Sequence, residues 1–126
     1  MNVEKQIAYW RNGAEEDFDA AKDLVDRGRF RHGLFFAHLA VEKMLKAHVV
    51  KATSNMPPRI HNLVRLRELA GLRIEAEMDA FFRRLNAYQL EGRYAEMSAN
   101  APISANTSSG IMSGAEEALR WLTQQL

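Results

Sequence analysis

The segment from Phe30 to Lys51 constrains the fold most. It carries Leu34, Phe35, Phe36, Ala37, Leu39, Ala40, Val41, Met44, Leu45 and Val49. On a helix of this length those positions cover most of the girth. A helix that is apolar nearly all round is a buried one, so the rest of the chain has to surround it. Its polar residues Glu42, Lys43 and Lys46 gather on one side near its middle.

The surrounding segments read as amphipathic helices. From Val3 to Asp26, the residues Ile7, Ala14, Phe18, Ala21 and Val25 recur at three-, four- and seven-residue spacing, one stripe of a helix. Glu15, Glu16, Asp17, Asp19 and Asp23 fall mostly off that stripe. Gly28 is placed to stop this helix. After the second helix, Pro57 and Pro58 forbid continuation and favour an extended approach to the next element. Asn62 is positioned to cap a short helix from Leu63 to Ala70, ended by Gly71. A fourth helix covers about Ile74 to Leu90, with Gly92 just beyond it. Residues 95–110, rich in Ala, Ser, Asn and Thr, read as a long loop. A last helix runs from about Ser108 to Leu126, or from Ser113 if Ser113 and Glu116 form a capping box. No alternating strand pattern or internal repeat occurs. The expectation is one all-α domain over residues 1–126, an antiparallel four- to five-helix bundle.

Several function classes are excluded at this point. No apolar run approaches the roughly 18 residues of a membrane span. No apolar run follows the first residues, so they do not read as a secretory signal. With no cysteine, disulfide frameworks and thiolate sites are out. The reading is a cytoplasmic chain with no membrane association. The net charge of +1 hides a pattern: residues 1–26 carry −4, residues 27–67 carry +8 and residues 68–126 carry −3. The basic block either attracts phosphate or nucleic acid, or pairs with acidic helices beside it.

Four histidines offer acid–base or ligand chemistry. None pairs with another at the i, i+4 spacing of a helical metal site. His38 lies on an apolar face and reads as a core histidine; His48 reads as a surface or boundary residue. His61 sits in the Pro-Pro-Arg-Ile-His-Asn-Leu junction at the mouth of a helix. There it either meets an anion or serves a cap or core hydrogen bond. Arg93 and Tyr94 pair a guanidinium with an aromatic ring, a combination suited to a phosphate and a base. They equally suit an ion pair with Glu91 or Glu96 and packing on the bundle end. Glu42 and Lys46, four apart, read either as site residues or as an ordinary helix-stabilising pair. No phosphate-binding glycine loop and no nucleophile elbow is present.

Three stretches, in order, resemble the HEPN domain family. They are Phe36-Ala37-His38-Leu39-Ala40-Val41-Glu42-Lys43-Met44-Leu45-Lys46-Ala47, then Pro57-Pro58-Arg59-Ile60-His61-Asn62-Leu63, then Leu90-Glu91-Gly92-Arg93-Tyr94-Ala95-Glu96. The sequence departs from the family pattern at Val41 and Gly92, where alanine is common, and at Ala95, where proline is frequent. The resemblance implies a helical bundle that is often a homodimer. It also implies a role beside a minimal nucleotidyltransferase, in toxin–antitoxin-like or nucleotide-binding pairs.

Many members of the family that this chain resembles are RNases whose proposed chemistry is metal-independent, with an arginine and a histidine separated by four to six residues late in the bundle. Here Arg27 with His32 and Arg31 with His38 fit that spacing, about as many matches as chance supplies, and both lie early. No histidine follows Arg93. The expectation is therefore a non-catalytic module binding a nucleotide, RNA or another phosphate-bearing ligand. Its candidate residues are His61, Arg93, Tyr94, Lys46 and Glu42, with no cofactor and no metal. The alternatives are an RNase with a divergent site and a purely structural homodimer.

Overall fold

The computed structural model describes residues 1–93 and 102–126, and for residues 90–93 the backbone only. Five helices form among them: α1 (Val3–Asp26), α2 (Phe30–Thr53), α3 (Leu63–Leu69), α4 (Ala76–Arg93) and α5 (Ala105–Gln125). No strand occurs among the described residues. None of the helices is long and apolar enough to cross a membrane.

The long apolar helix is central, as its composition demands. From Leu34 to Val50 most of α2 is buried. It packs on all four other helices, while α1, α4 and α5 scarcely touch one another. Directions follow from side-chain partners. Lys43 of α2 reaches Asp17 of α1 at 2.7 Å, and Gly33 lies against Val25, so α1 and α2 are antiparallel. His48 and Lys51 meet the backbone carbonyls of Leu122 and Gln125 at 2.8 Å, so α5 runs parallel to α2. Phe81 covers Gly114, and Trp121 shares a groove with Ile74, which sets α4 antiparallel to α5. The core joins Phe18, Leu34, Met44, Leu45, Leu66, Phe82, Leu85, Ile111 and Leu122.

Local chemistry explains the ends. Asn2 caps α1 by accepting from the Lys5 N–H at 3.0 Å. Gly28, at φ 78, takes the left-handed turn that lets the Arg29 N–H return to the Leu24 carbonyl at 2.9 Å. Asn62 caps α3 through the N–H groups of Val64 and Arg65 at 3.0 and 3.2 Å.

Helix α3 ends at Leu69 rather than Ala70 and α4 begins at Ala76 rather than Ile74, and three further boundaries differ from the expectation. Helix α2 continues to Thr53 and closes on Ser54, a non-glycine residue at φ 55. Helix α4 continues through Gly92 to Arg93, since one glycine costs a helix only about 1 kcal/mol and no proline follows until Pro102. Helix α5 starts at Ala105, because Ser104 is the residue that accepts from the Thr107 N–H, at 3.0 Å; Ser113 lies inside the helix. Residues 105–110 are thus helical, and the part of the expected loop from 95 to 101 lies outside the described residues.

Candidate functional site

The polar residues of α2 converge on a partly buried cluster between α2 and the segment entering α3. Glu42 is its centre. Only 3% of Glu42 is exposed, and its carboxylate accepts from Lys46 Nζ at 2.9 Å and from His61 Nδ1 at 3.1 and 3.2 Å. The pair with Lys46 has the i, i+4 spacing of an ordinary surface pair. Burial changes its meaning. Two desolvated charges hold together only when their remaining hydrogen-bonding capacity is met. His61 supplies the second donor to the carboxylate, and the Trp10 ring of α1 lies 5.4 Å from Lys46 Nζ.

His61 arrives from the Pro57–Asn62 entry segment. The prolines keep that segment out of a helix, and Asn62 anchors it to α3. With Nδ1 turned to Glu42, the imidazole keeps 40% of its side chain in solvent. The carboxylate behind it fixes the ring orientation, as in other histidine–carboxylate pairs. The α3 end itself offers less than the sequence suggested, since Asn62 already occupies the N–H groups of Val64 and Arg65.

A second layer lies beneath. His38, 1% exposed, places Nε2 3.4 Å from Asn86 Oδ1 of α4, and its Nδ1 lies 3.8 Å from Glu42. Burial pushes the His38 imidazole down to about 4, against the opposing pull of the Glu42 carboxylate and the Asn86 contact. His38 is therefore neutral near pH 7. Asn86 also accepts from the Leu63 N–H at 3.0 Å and donates to Asn62 Oδ1 at 3.2 Å. It thereby ties α2, the α3 entry and α4 together.

Of the residues singled out in the sequence, Glu42, Lys46 and His61 come together here. The side chain of Arg93 and the whole of Tyr94 lie outside the described residues; Arg93 is the last residue of α4 rather than part of a loop. His48 is corrected from surface to interior: it is 3% exposed, with Nε2 2.8 Å from the Leu122 carbonyl oxygen. Its imidazole is lowered by burial, opposed by the Leu122 carbonyl. The reading of the motifs missed Asn86 and Trp10. Asn86 has a faint sequence signal, a polar residue directly after Leu85 of the α4 stripe; Trp10 has none.

The basic block is neutralised only in part. Lys43 meets Asp17, Lys46 meets Glu42, Arg65 meets Glu68 and Arg67 meets Asp79. Arg27, Arg29, Arg31 and Arg59 are in no ion pair among the described residues. Nor, among those residues, does any group of three or more His, Cys, Asp or Glu form a set able to hold a metal ion.

The family model described as HEPN domain matches residues 7–125. The crystal structure of TT1696 from Thermus thermophilus is similar in fold, with a TM-score of 0.78 over 96% of this chain and 98% of that one. The two sequences are 17% identical. At that identity the likeness speaks for the fold alone. No curated protein matches the sequence.

Proposed function

Because the chain belongs to the HEPN domain family, we propose that it is a non-catalytic module that binds a phosphate-bearing ligand, a nucleotide or RNA, through His61. We further propose that it acts beside a minimal nucleotidyltransferase in a toxin–antitoxin-like pair. The observation that carries the binding reading is the half-exposed His61 ring held by the buried Glu42 carboxylate. Lys46 is occupied by Glu42, and Glu42 is shielded from solvent. Both therefore position the imidazole rather than meet the ligand. A protonated imidazole held by a carboxylate offers an anion a preset, charge-assisted donor. Arg59, exposed two residues before His61, adds a positive charge nearby along the chain. From the sequence alone, Arg93 and Tyr94 remain the proposed phosphate and base contacts.

The test is thermal unfolding with and without ATP, AMP and a short RNA, on wild type, His61→Ala and Arg93→Ala. A ligand at about 100 times its dissociation constant adds about 2.7 kcal/mol, a shift of several degrees for a domain of this size. A shift in wild type that disappears in both variants supports the reading. No shift with any ligand removes it. Co-purification with a minimal nucleotidyltransferase encoded in the same genome tests the partner.

The same pair of residues favours one second reading, a metal-independent RNase. A histidine with a carboxylate on Nδ1 presents Nε2 as a general base. RNA cleavage in the presence of a chelator, lost in His61→Ala, selects that reading; cleavage that survives the substitution eliminates it.

A further inference from the structure

A groove of about 860 Å³ runs between the first half of α4 and the second half of α5, and none of its lining residues belongs to the His61 cluster. Small-molecule sites usually enclose about 300–1,000 Å³ and combine an apolar lining with a few placed polar groups. The floor here is apolar and half-buried: Ile74, Met78 and Phe81 from the α4 side, Trp121 from α5. Phe81 fits there because Gly114 leaves it room; an added Cβ at Gly114 would collide with the ring.

That contact sets the register of the two walls. The helices are antiparallel, so the turn before Phe81 stands across from the turn after Gly114. Those turns place Glu77 on one wall and Glu117 on the other, and both line the groove. Trp121 follows Glu117 by one more turn. A carboxylate on each wall is therefore flanked lengthwise by two aromatic side chains, Phe81 and Trp121. Both glutamates are exposed, and neither is in an ion pair among the described residues. Arg73 and Arg84 line the same groove and hold neither of them, whereas the nearby Asp79 holds both Arg67 and Arg83. Like charges facing each other across an apolar floor repel unless a cation comes between them.

We propose that this groove binds a small organic cation, an alkylated ammonium carried on an apolar or aromatic body. Its charge sits between Glu77 and Glu117, and its body lies along Met78, Phe81 and Trp121. The lining selects this class. A metal ion would give up its water for two exposed carboxylates and gain nothing from the floor. An anionic ligand would meet Glu75, Glu77 and Glu117 against two arginines. A neutral apolar molecule would leave the two carboxylates facing each other. An organic cation uses the floor, the rings and the carboxylates together.

The test is amide and indole NMR of the full chain titrated with benzyltrimethylammonium chloride. Benzyl alcohol, sodium phenylacetate and sodium chloride are the comparators. Wild type is expected to show saturable shifts at Met78, Phe81, Gly114, Glu117 and Trp121 that sodium chloride does not reproduce. Benzyl alcohol and phenylacetate are expected to bind several-fold more weakly. Glu77→Gln with Glu117→Gln changes two exposed side chains, so the fold persists, and should raise the dissociation constant about tenfold. Trp121→Leu keeps the floor apolar and should raise it about threefold, the share a ring contributes to cation binding at a partly exposed site. A wild type without saturable shifts overturns the proposal. So does equal binding of benzyl alcohol, or a double variant that binds as tightly as wild type, because the groove would then be an apolar surface without charge selection. Tighter binding of phenylacetate also overturns it, by making Arg73 and Arg84 the groups that choose the ligand.

Discussion

At the scale of single residues, the cluster on α2 shows how burial redefines a familiar spacing. Glu42 and Lys46 look in the sequence like any i, i+4 pair worth a few tenths of a kcal/mol. What makes them different is Trp10 and His61, distant in sequence, which close over them. No local pattern encodes that closure, so the residues were legible and their environment was not. The consequence is measurable. Glu42→Gln leaves the Lys46 ammonium buried without its counter-charge and should cost about 3 kcal/mol or more in urea unfolding. Lys46→Met should cost less, because Glu42 keeps His61 as a donor. The double variant should lose clearly less than the sum of the two, which a double-mutant cycle reads directly.

His38 makes the second residue-scale prediction. Its folded-state value of about 4 lies below the 6.5 of the unfolded chain, so the unfolded state holds the proton more tightly between those limits. The stability this contributes is fully present above pH 6.5 and is lost as pH falls towards 4, to the extent of about 3 kcal/mol. His48, lowered by burial as well, acts in the same direction. Urea midpoints measured from about pH 7.5 to about pH 4.5 should therefore fall, and His38→Gln should flatten the slope while retaining a donor for Asn86. An unchanged slope in that variant would assign the acid sensitivity to other groups.

At the scale of elements, the sequence was a good guide wherever one residue decides an end. Asn2, Gly28 and Asn62 stop or start helices as their side chains and backbone freedom require. It was a poorer guide where two residues of the same type competed. Ser104 and Ser113 both stand before helical sequence, and Ser104 takes the cap because α5 extends back to bury Ser108 and Ile111. Glycines separate in the same way. Gly33 sits where α1 and α2 are closest: a Cβ there would lie 2.5 Å from Val25 Cγ2 and 3.2 Å from the backbone of Ala21 and Val25. Gly33→Ala should destabilise by about 1–3 kcal/mol, because the helix backbones must part and the gain in propensity is smaller. Gly110→Ala, with open space around its Cβ, should stabilise by about 0.5–1 kcal/mol. Thermal or urea unfolding of the two variants side by side checks the contrast; equal effects would show that propensity alone governs both sites.

At the scale of the molecule, one helix holds the others. The all-round apolar character of α2, the first feature of the sequence, predicts this: every other helix packs on it, and α1, α4 and α5 hardly meet one another. The arrangement has a consequence for how the domain opens. Helix α1 is attached almost wholly through α2, by Ala14, Phe18 and Ala21, the Lys43–Asp17 ion pair and the Lys46–Trp10 contact. Lifting it off exposes one face of α2 and leaves the α2–α4–α5 core in place. Amides in the middle of α2, around Ala40 to Ala47, lose protection only when all its faces are uncovered. Native-state hydrogen exchange should therefore give those amides the free energy and denaturant dependence of global unfolding, and give α1 a smaller value of each. The opening of α1 would also remove the Trp10 contact from Lys46, so Glu42→Gln, which weakens the cluster beneath, should lower the α1 value along with the global one. Protection of α1 equal to that of α2 in wild type would mean that the four long helices unfold as one unit despite meeting chiefly through the central helix.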